Sequence, residues 1–216
     1  MIVGRFVAAV IIAYLLGSIP FGLIIGKLKT GVDIREQGSG KTGATNLMRV
    51  VGTRLGVLAL VLDVVKATAA VMLAAVIVDR GIGILTIGGV SLYWQHIAQV
   101  AAGLAAVAGH NWPIFAKFRG GRGVTAYFGT LFAIFPPAGI FGAEVLAITA
   151  LRSRHMSLGS LLGALATWCL MLPLTIVYHL LPPIYLVYGF VGIALIAYQH
   201  RDNMKRLRQG TERQLW

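Results

Sequence analysis

A glycine-rich stretch near the amino terminus, DIREQGSGKTGATNLMR at residues 33–49, combines residue types that bind phosphate. Glycines allow backbone N–H groups to approach an anion closely, and an arginine offers a planar pair of donors that matches two phosphate oxygens. The side chains expected to contact the phosphate are Ser39, Thr45, Asn46 and Arg49. These residue types at this spacing predict a phosphate site in the loop.

The Gly-Lys-Thr sequence inside this loop raises the question of a nucleotide hydrolase. The nucleotide-binding motif needs a glycine five residues before its Gly-Lys pair, and that position is Arg35 here. The motif also follows a buried strand, whereas the apolar run before this loop, residues 6–26, has the length of a membrane segment. An ATPase is therefore not favoured, and the loop predicts a different phosphate ligand.

A second glycine-rich stretch, GHNWPIFAKFRGGRGVT at residues 109–125, repeats this chemistry. Its Gly120, Gly121 and Gly123 flank Arg122, so a basic side chain again stands in a backbone that can approach an anion. We expect these four residues to belong to the same phosphate site.

Two shorter motifs supply neutral hydrogen-bonding groups. Ser157, in RSRHMSLGS, stands at the start of a predicted helix, where a hydroxyl and free N–H groups favour an anion. His200 and Asn203, in YQHRDNMKRLRQGTE, lie three residues apart and share a face if this stretch is helical. Each motif alone is also consistent with an ordinary connecting loop, and it is their combination that favours a phosphate site.

The composition indicates which elements must position these groups. Hydrophobic residues make up 57% of the chain and charged residues 12%, with a mean hydropathy of +0.81. In soluble domains about 45–50% of the residues are apolar and about 25% are charged. The apolar residues fall in blocks of the ~20 residues that cross a bilayer as a helix. We therefore predict an all-α, polytopic membrane protein with a single domain, residues 1–216.

We predict about seven transmembrane helices, some of them short or broken. Pro136-Pro137 splits one apolar run into two short helices, and basic residues on both sides of this run indicate a hairpin with the double proline at its tip. Residues 82–92 either lie at the membrane interface or extend the third helix. The predicted spans are residues 3–27, residues 55–78, a helix that ends near residue 109, the hairpin within residues 124–151, and residues 158–180 and 184–199.

The basic residues indicate the orientation of these helices. All but three of the 19 lysines and arginines fall in four regions or at the adjoining helix end. These regions are loops 28–54, 110–123 and 152–157 and the tail from residue 200. Because positive residues stay on the cytoplasmic side, this face is cytoplasmic, the carboxyl terminus lies there, and the amino terminus lies outside. Topology thus explains most of the net charge of +12, and no nucleic-acid partner is expected.

Three ionisable residues are predicted to lie within the membrane: Asp63, Lys66 and Glu144. Such residues are either functional or paired with one another. Asp63 and Lys66 stand three residues apart on one helix and can pair locally, which favours a structural ion pair. Glu144 has no obvious partner in its own helix.

Taken together, five motifs resemble those of the bacterial acyl-phosphate:glycerol-3-phosphate acyltransferases, small integral membrane enzymes of phospholipid synthesis. The motifs are GSIPFGLIIGKL, DIREQGSGKTGATNLMR, GHNWPIFAKFRGGRGVT, SLGS and HRDNMKRLRQGTE, in this order from Gly17 to Glu212. The resemblance implies that the 1-hydroxyl of glycerol 3-phosphate attacks the carbonyl of a fatty acyl phosphate, and that lysophosphatidate and inorganic phosphate leave. It implies an enzyme of the bacterial cytoplasmic membrane, in contact with membrane lipid, whose active site faces the cytoplasm. No cluster of His, Cys and carboxylate residues has the spacing of metal ligands, and no cofactor is expected.

The resemblance also implies roles for individual residues. The residues that would hold the glycerol phosphate are Ser39, Arg49, Arg122 and Ser157. His200 and Asn203 would orient the attacking hydroxyl or stabilise the oxyanion, and Ser39 is counted with them as catalytic. A protein base can be dispensable, because acyl phosphate has a good leaving group and a substrate phosphate oxygen can take the proton.

The chain departs from the family pattern in both glycine motifs. Lys41 stands where the family usually has asparagine after Gly-Ser-Gly, and Arg119 and Arg122 stand where it usually has lysines. Lys41 adds a positive charge beside the expected phosphate site, where it either binds the same phosphate or signals a changed substrate. Two alternatives stay open: a diverged acyltransferase with another donor or acceptor, and a membrane transporter of organic phosphates.

Overall fold

The computed structural model describes residues 2–79, 81, 83–87 and 90–215, and it is nearly all helical, as predicted. Within these residues the helices are α1 (Ile2–Gly17), α2 (Phe21–Thr30), α3 (Ala44–Val50), α4 (Thr53–Ile77), α5 (Trp94–Asn111), α6 (Val124–Ile134), α7 (Pro136–Ser153), α8 (Met156–Ile176), α9 (Ile184–Gln199) and α10 (Arg201–Arg208). Three stretches are long and apolar enough to cross a bilayer: Ile2–Thr30, which covers α1 and α2, Thr53–Ile77 and Met156–Ile176.

The first predicted helix, residues 3–27, is broken in the structure. α1 ends at Gly17 and α2 begins at Phe21, because Pro20 has no N–H to continue the helical hydrogen bonds and disfavours helical backbone in the residue before it. Inside the break, the carbonyl oxygen of Ile19 accepts a hydrogen bond of 2.6 Å from the Nζ of Lys66 in α4. A side chain from another helix therefore holds the break in place.

A short β-hairpin lies before α5, in the stretch 82–92. Its strands, β1 (Ile84–Ile87) and β2 (Val90–Tyr93), are antiparallel, with Thr86 opposite Ser91 and their hydroxyl oxygens 3.2 Å apart. Because α5 begins only at Trp94, the prediction that this stretch extends the third helix is wrong. The strands contain the β-branched and aromatic residues that pack well on a pleated surface. Residues 82, 88 and 89 of this stretch lie outside the described residues.

The double proline forms the turn between two helices, as predicted. α6 ends at Ile134, and Pro136 and Pro137 are the first two residues of α7. Proline is tolerated there because the N–H groups of a first helical turn have no partner within the helix. α6 has only 11 residues, whereas α7 has 18 and is about 27 Å long, which is longer than predicted.

The last part of the chain brings the tail beside the helix ends. α8 ends at Ile176, before the predicted end at residue 180, and α9 has the predicted bounds, residues 184–199. α10 follows α9 after a single residue, His200. His200 is therefore not part of a helix with Asn203, which lies in the first turn of α10, and the condition under which the two would share a helical face is not met.

Two buried clusters fix the helices that carry the site. The first consists of Val78 and seven alanines of α1, α4 and α5: Ala9, Ala13, Ala70, Ala74, Ala98, Ala102 and Ala106. Such small residues let helix backbones approach closely, which is a main source of helix association in membranes. In the second cluster, Tyr127 of α6 stacks on Tyr188 of α9 with ring centroids 5.5 Å apart, and the Tyr127 hydroxyl lies 2.7 Å from that of Thr167 in α8.

Candidate active site

A cavity of about 340 Å³ opens where the two glycine-rich loops meet the ends of the helices. Its polar part is lined by Ser39, Lys41, Thr45, Asn46, Arg49, His110, Arg122, Ser157, Ser160, His200, Asn203, Arg206, Glu212 and Arg213. Its apolar part is lined by Leu60 and Val64 of α4, Phe128 and Phe132 of α6, and Ala143 and Leu146 of α7. Val64 and Ala143 stand about ten residues from the loop ends of their helices, so the apolar part extends ~15 Å along the helices.

The structure brings together all the predicted site residues except the three glycines of the second loop. The predicted residues that line this one cavity are Ser39, Thr45, Asn46, Arg49, Arg122, Ser157, His200 and Asn203. They come from five separate parts of the chain: the first loop, α3, the second loop, the start of α8 and the junction of α9 with α10. Only the packing of the helices places them side by side.

The first glycine-rich loop is held in shape by Asn46. The side-chain Nδ2 of Asn46 donates to three backbone carbonyl oxygens at 2.8–3.2 Å, and its Oδ1 accepts the N–H of Ser39 at 2.7 Å. Gly38 has a φ of +58°, and a Cβ at this position would strike the Asn46 amide. The N–H of Gly40 donates to the carbonyl of Gln37 at 3.1 Å. Two N–H groups expected to face an anion are therefore used within the loop, which presents side chains to the cavity instead.

The second glycine-rich loop is seated on the end of α5. A Cβ at Gly121 would strike the His110 ring, and a Cβ at Gly123 would lie 2.7 Å from the Oδ1 of Asn111. The N–H of Gly121 donates to the His110 carbonyl at 3.0 Å. Gly120, Gly121 and Gly123 are not among the described residues that line the cavity, which differs from the prediction that they approach the phosphate.

Close packing of these glycines directs Arg122 into the cavity. Its Nε is buried, with no hydrogen-bond partner among the described residues. A buried donor without a partner costs about 1–3 kcal/mol, and more when it is charged. Arg122 is therefore placed to bind an anion that enters the cavity.

Glu212, which is not among the predicted site residues, lines the polar part and accepts hydrogen bonds from three side chains there. Its Oε1 accepts hydrogen bonds from the Oγ of Ser157 at 2.9 Å and the Nδ2 of Asn203 at 2.5 Å, and its Oε2 accepts one from the Nε of Arg206 at 2.8 Å. Burial raises the pKa of this carboxyl, but the three hydrogen bonds outweigh burial and hold the pKa below its usual value. The signal in the sequence is a single carboxylate in the tail after α10.

Glu212 belongs to a tail that lies across the loops. The guanidinium of Arg213 donates to the carbonyl of Gly38 in the first loop, and the N–H of Leu215 donates to the carbonyl of Arg154 before α8 at 2.8 Å. The guanidinium of Arg49 is 3.4 Å from the carbonyl oxygen of Gln214. These contacts tie the carboxyl-terminal tail to both the first loop and the start of α8.

His200 is neutral and has a defined tautomer. Its Nδ1 lies 2.8 Å from the carbonyl oxygen of Ile196, and since a carbonyl oxygen only accepts, Nδ1 carries the proton and Nε2 keeps a free lone pair. Burial, aided by the charges of Arg122 and Lys41, lowers the pKa of His200 to about 4, although the bond to Ile196 and the charge of Glu212 oppose this. At neutral pH, Nε2 can accept a hydrogen bond or a proton from a hydroxyl group.

A separate ionic cluster lies inside the helices beside this cavity. The Nζ of Lys66 is 2.7 Å from the Oδ1 of Asp63, which confirms the predicted pairing, and it lies 5.6 Å from the ring centroid of Phe21. The Nδ1 of His110 is 3.7 Å from the same carboxylate oxygen. His110 also borders the cavity, so this cluster supports the end of α5 on which the second loop rests.

The chain is similar over nearly its whole length to known proteins. The family model described as glycerol-3-phosphate acyltransferase matches residues 7–210. Glycerol-3-phosphate acyltransferase 3 of Dehalococcoides mccartyi is 48% identical over 100% of this chain and 98% of the relative. Glycerol-3-phosphate acyltransferase 2 of Moorella thermoacetica is 38% identical over 96% of each chain. The crystal structure of PlsY, an integral membrane glycerol 3-phosphate acyltransferase in its glycerol 3-phosphate form, is 36% identical, with a TM-score of 0.81 over 97% of this chain and 94% of that one.

Proposed function

The chain belongs to the glycerol-3-phosphate acyltransferase family, and from this membership we propose that it transfers a fatty acyl group from an acyl phosphate to the 1-hydroxyl of glycerol 3-phosphate. The products are lysophosphatidate and inorganic phosphate. The names of the relatives and the glycerol 3-phosphate form of PlsY support the acceptor. The choice of acyl phosphate as donor rests on the motifs of the sequence and on the cavity.

The observation that carries this proposal is the two-part cavity. Five basic side chains and one carboxylate line its polar part: Lys41, Arg49, Arg122, Arg206, Arg213 and Glu212. Two phosphate groups, one on each substrate, carry roughly three to four negative charges near pH 7, and this excess of positive charge can balance them. The apolar part between α4, α6 and α7 can receive the acyl chain. Leu60, on its wall, is 39% exposed, and a lipid-dissolved donor would enter the cavity beside it.

The phosphate of glycerol 3-phosphate would lie between the first loop, Arg122 and the start of α8. Arg49 and Arg122 supply charge, while the hydroxyls of Ser39, Thr45 and Ser157 supply hydrogen bonds. Asn46 and the glycines 120, 121 and 123 act by shaping the two loops, since their contacts are with the protein itself. Ser157 donates its single O–H to the carboxylate of Glu212, and this O–H would turn to the phosphate when the substrate binds.

The reaction forms one ester bond and breaks one anhydride bond. The 1-hydroxyl oxygen of glycerol 3-phosphate attacks the acyl carbonyl carbon, and the bond from that carbon to the phosphate oxygen breaks, with its electron pair leaving on the phosphate. The hydroxyl proton passes either to the Nε2 of His200 or to a phosphate oxygen. Asn203 would orient the hydroxyl, since its buried Oδ1 has no hydrogen-bond partner in the described part of the chain while its Nδ2 is held by Glu212.

We place this reaction at the cytoplasmic face of a bacterial inner membrane. The broken α1–α2 unit and helices α4 to α9 would give seven spans and a single domain, residues 1–216, with the amino terminus outside. The support is the basic character of the loops that carry the site and the positive-inside rule. Cysteine substitutions at Lys29 and Lys117, labelled from one side of intact vesicles, test this orientation.

The donor is tested by phosphate release from purified protein. We expect release from palmitoyl phosphate that depends on glycerol 3-phosphate, no transfer from palmitoyl-CoA, and a loss of about a hundredfold or more in kcat/KM for Arg122→Ala. Arg208→Ala, an exposed residue of α10 that does not line the cavity, is the matched control. Transfer from the thioester alone would overturn the choice of donor. If the protein transfers no acyl group from either donor, and vesicles that contain it take up glycerol 3-phosphate, a transporter would be favoured.

A further inference from the structure

The basic residues of the cavity fall into two groups that meet at Arg122 and His200. The charged groups that act on Arg122 are Arg49, Arg206, Arg213 and the carboxylate of Glu212. The charges that act on Lys41 are those of Arg122, Arg201, Asp202 and Arg119. His200 is within electrostatic range of Arg122, Glu212 and Lys41. We therefore distinguish a first region, formed by Arg49, Arg206 and Arg213, from a second region, formed by Lys41, Arg119 and Arg201, and the charge of Arg122 acts in both.

Lys41 is the cation that faces the cavity in the second region. Arg201 bonds to the carbonyl of Tyr198 at 3.1 Å and lies over that ring at 4.6 Å, and Arg119 is exposed outside the cavity. Lys41 lines the cavity, and its backbone carbonyl is fixed by Asn46 at 2.9 Å. Its ammonium group forms no hydrogen bond or ion pair with the residues that the structure describes.

The surroundings of Lys41 disfavour its charged ammonium form unless an anion binds beside it. Burial, followed by the charge of Arg122, lowers the pKa of Lys41, and the exposed carboxylate of Asp202 only partly opposes this. Like charges held together in a partly buried site repel each other unless a ligand of opposite charge binds. The first region is already arranged around Ser157, Arg49 and Arg122 for one phosphate. Lys41 brings a further positive charge to the same cavity, which can bind another.

We propose that Lys41 binds the phosphoryl group of the acyl donor and forms, with Arg122, a second anion subsite distinct from that of glycerol phosphate. This inference rests on the proposed function. It places the reacting carbonyl between the two phosphates and beside His200. When the bond from the carbonyl carbon to the phosphate oxygen breaks, the electron pair leaves on the phosphate, and Lys41 stabilises the charge that develops there.

Steady-state kinetics with both substrates varied test this assignment. In Lys41→Gln we expect the KM for palmitoyl phosphate to rise about tenfold or more, because a charge-assisted contact is lost, while the KM for glycerol 3-phosphate changes less than about twofold. Lys41→Arg keeps the charge and should recover most of the donor affinity. Lys205→Gln, an exposed lysine of α10 that does not line the cavity, is the matched control. A rise confined to the KM for glycerol 3-phosphate would overturn the proposal.

A binding measurement separates this proposal from the identity of the donor. At saturating glycerol 3-phosphate, inorganic phosphate should still bind to the wild-type protein, and about tenfold more weakly to Lys41→Gln. If palmitoyl phosphate is not a substrate but this second phosphate site is present and depends on Lys41, the donor assignment fails and the second subsite stands. If the wild-type protein binds no phosphate beside glycerol 3-phosphate, or binds it equally without Lys41, the second subsite is overturned.

Discussion

Two groups of charged residues lie side by side in this protein and differ in how their charges are matched. In the cluster inside the helices, Lys66 is paired with Asp63 at 2.7 Å and with the carbonyl of Ile19 at 2.6 Å, and both side chains are 3% exposed or less. In the cavity, Arg122 has a buried donor without a partner, and Lys41 has no ionic partner within the described part of the chain. Positive charge is thus satisfied in one region and in excess in the other.

The comparison shows that an ionisable residue in a membrane protein is not by itself a sign of function. A buried charge stays charged only if a partner compensates for its lost hydration. Asp63 and Lys66 supply this partner to each other, so they stabilise the break between α1 and α2. Arg122 and Lys41 in the cavity still need a partner, which is the role we propose for the two substrate phosphates.

The largest effect is expected from breaking the internal ion pair. Lys66→Met leaves the Asp63 carboxylate buried without its cation and should lower the free energy of unfolding by about 3–5 kcal/mol. The double variant Asp63→Asn/Lys66→Met removes both charges and should recover much of this loss. Unfolding in detergent, followed by circular dichroism, measures both. If Lys66→Met is as stable as the wild-type protein but no longer transfers acyl groups, Lys66 takes part in the reaction. The two regions would then not differ in function.

The next effect concerns His200 and pH. Because the folded-state pKa is about 4, against 6.5 for the free side chain, the unfolded chain binds a proton between these values and the folded protein does not. Stability should therefore fall as pH decreases from about 6.5 towards 4, by about 3 kcal/mol in total. The thermal midpoint should decrease over this range in the wild-type protein.

The variant His200→Gln isolates this contribution. It should show a shallower decrease in the thermal midpoint between pH 6.5 and 5, where Glu212 stays ionised in both states. Parallel curves for the two proteins would mean that His200 is not desolvated. Turnover of a His200→Ala variant tests which group accepts the hydroxyl proton. Near-normal turnover supports a phosphate oxygen as the acceptor, and a large loss of turnover favours His200.

The smallest effect is expected from Glu212→Gln, which keeps the shape of the side chain and removes its charge. The bonds from Ser157, Asn203 and Arg206 would weaken, and we expect kcat/KM to fall about tenfold and the unfolding free energy by about 1–3 kcal/mol. Glu36→Gln, an exposed carboxylate outside the cavity, serves as the control. An increase in glycerol 3-phosphate affinity would show instead that the carboxylate competes with the substrate phosphate.

The class of the protein and many of the side chains that line its cavity follow from the amino-acid sequence. Long apolar blocks without strand alternation indicate helices, because a helix pairs all its backbone N–H and C=O groups within a bilayer. The double proline indicated the position of the turn between α6 and α7. The side chains of Arg49, Arg122, Ser157, His200 and Asn203 were selected from local chemistry, and they meet in one cavity.

The contacts that each of these residues makes are visible only in the folded protein. No local pattern shows that the side-chain amide of Asn46 forms its hydrogen bonds within its own loop, or that Gly121 is needed because the His110 ring lies against it. The sequence also does not show that Glu212 connects α8 to α10. Likewise, the break after α1 depends on a lysine of α4 that is 47 residues away. Hydrogen bonds and close contacts between distant segments exist only after the helices have packed, because short-range spacing does not encode which neighbours a side chain will meet.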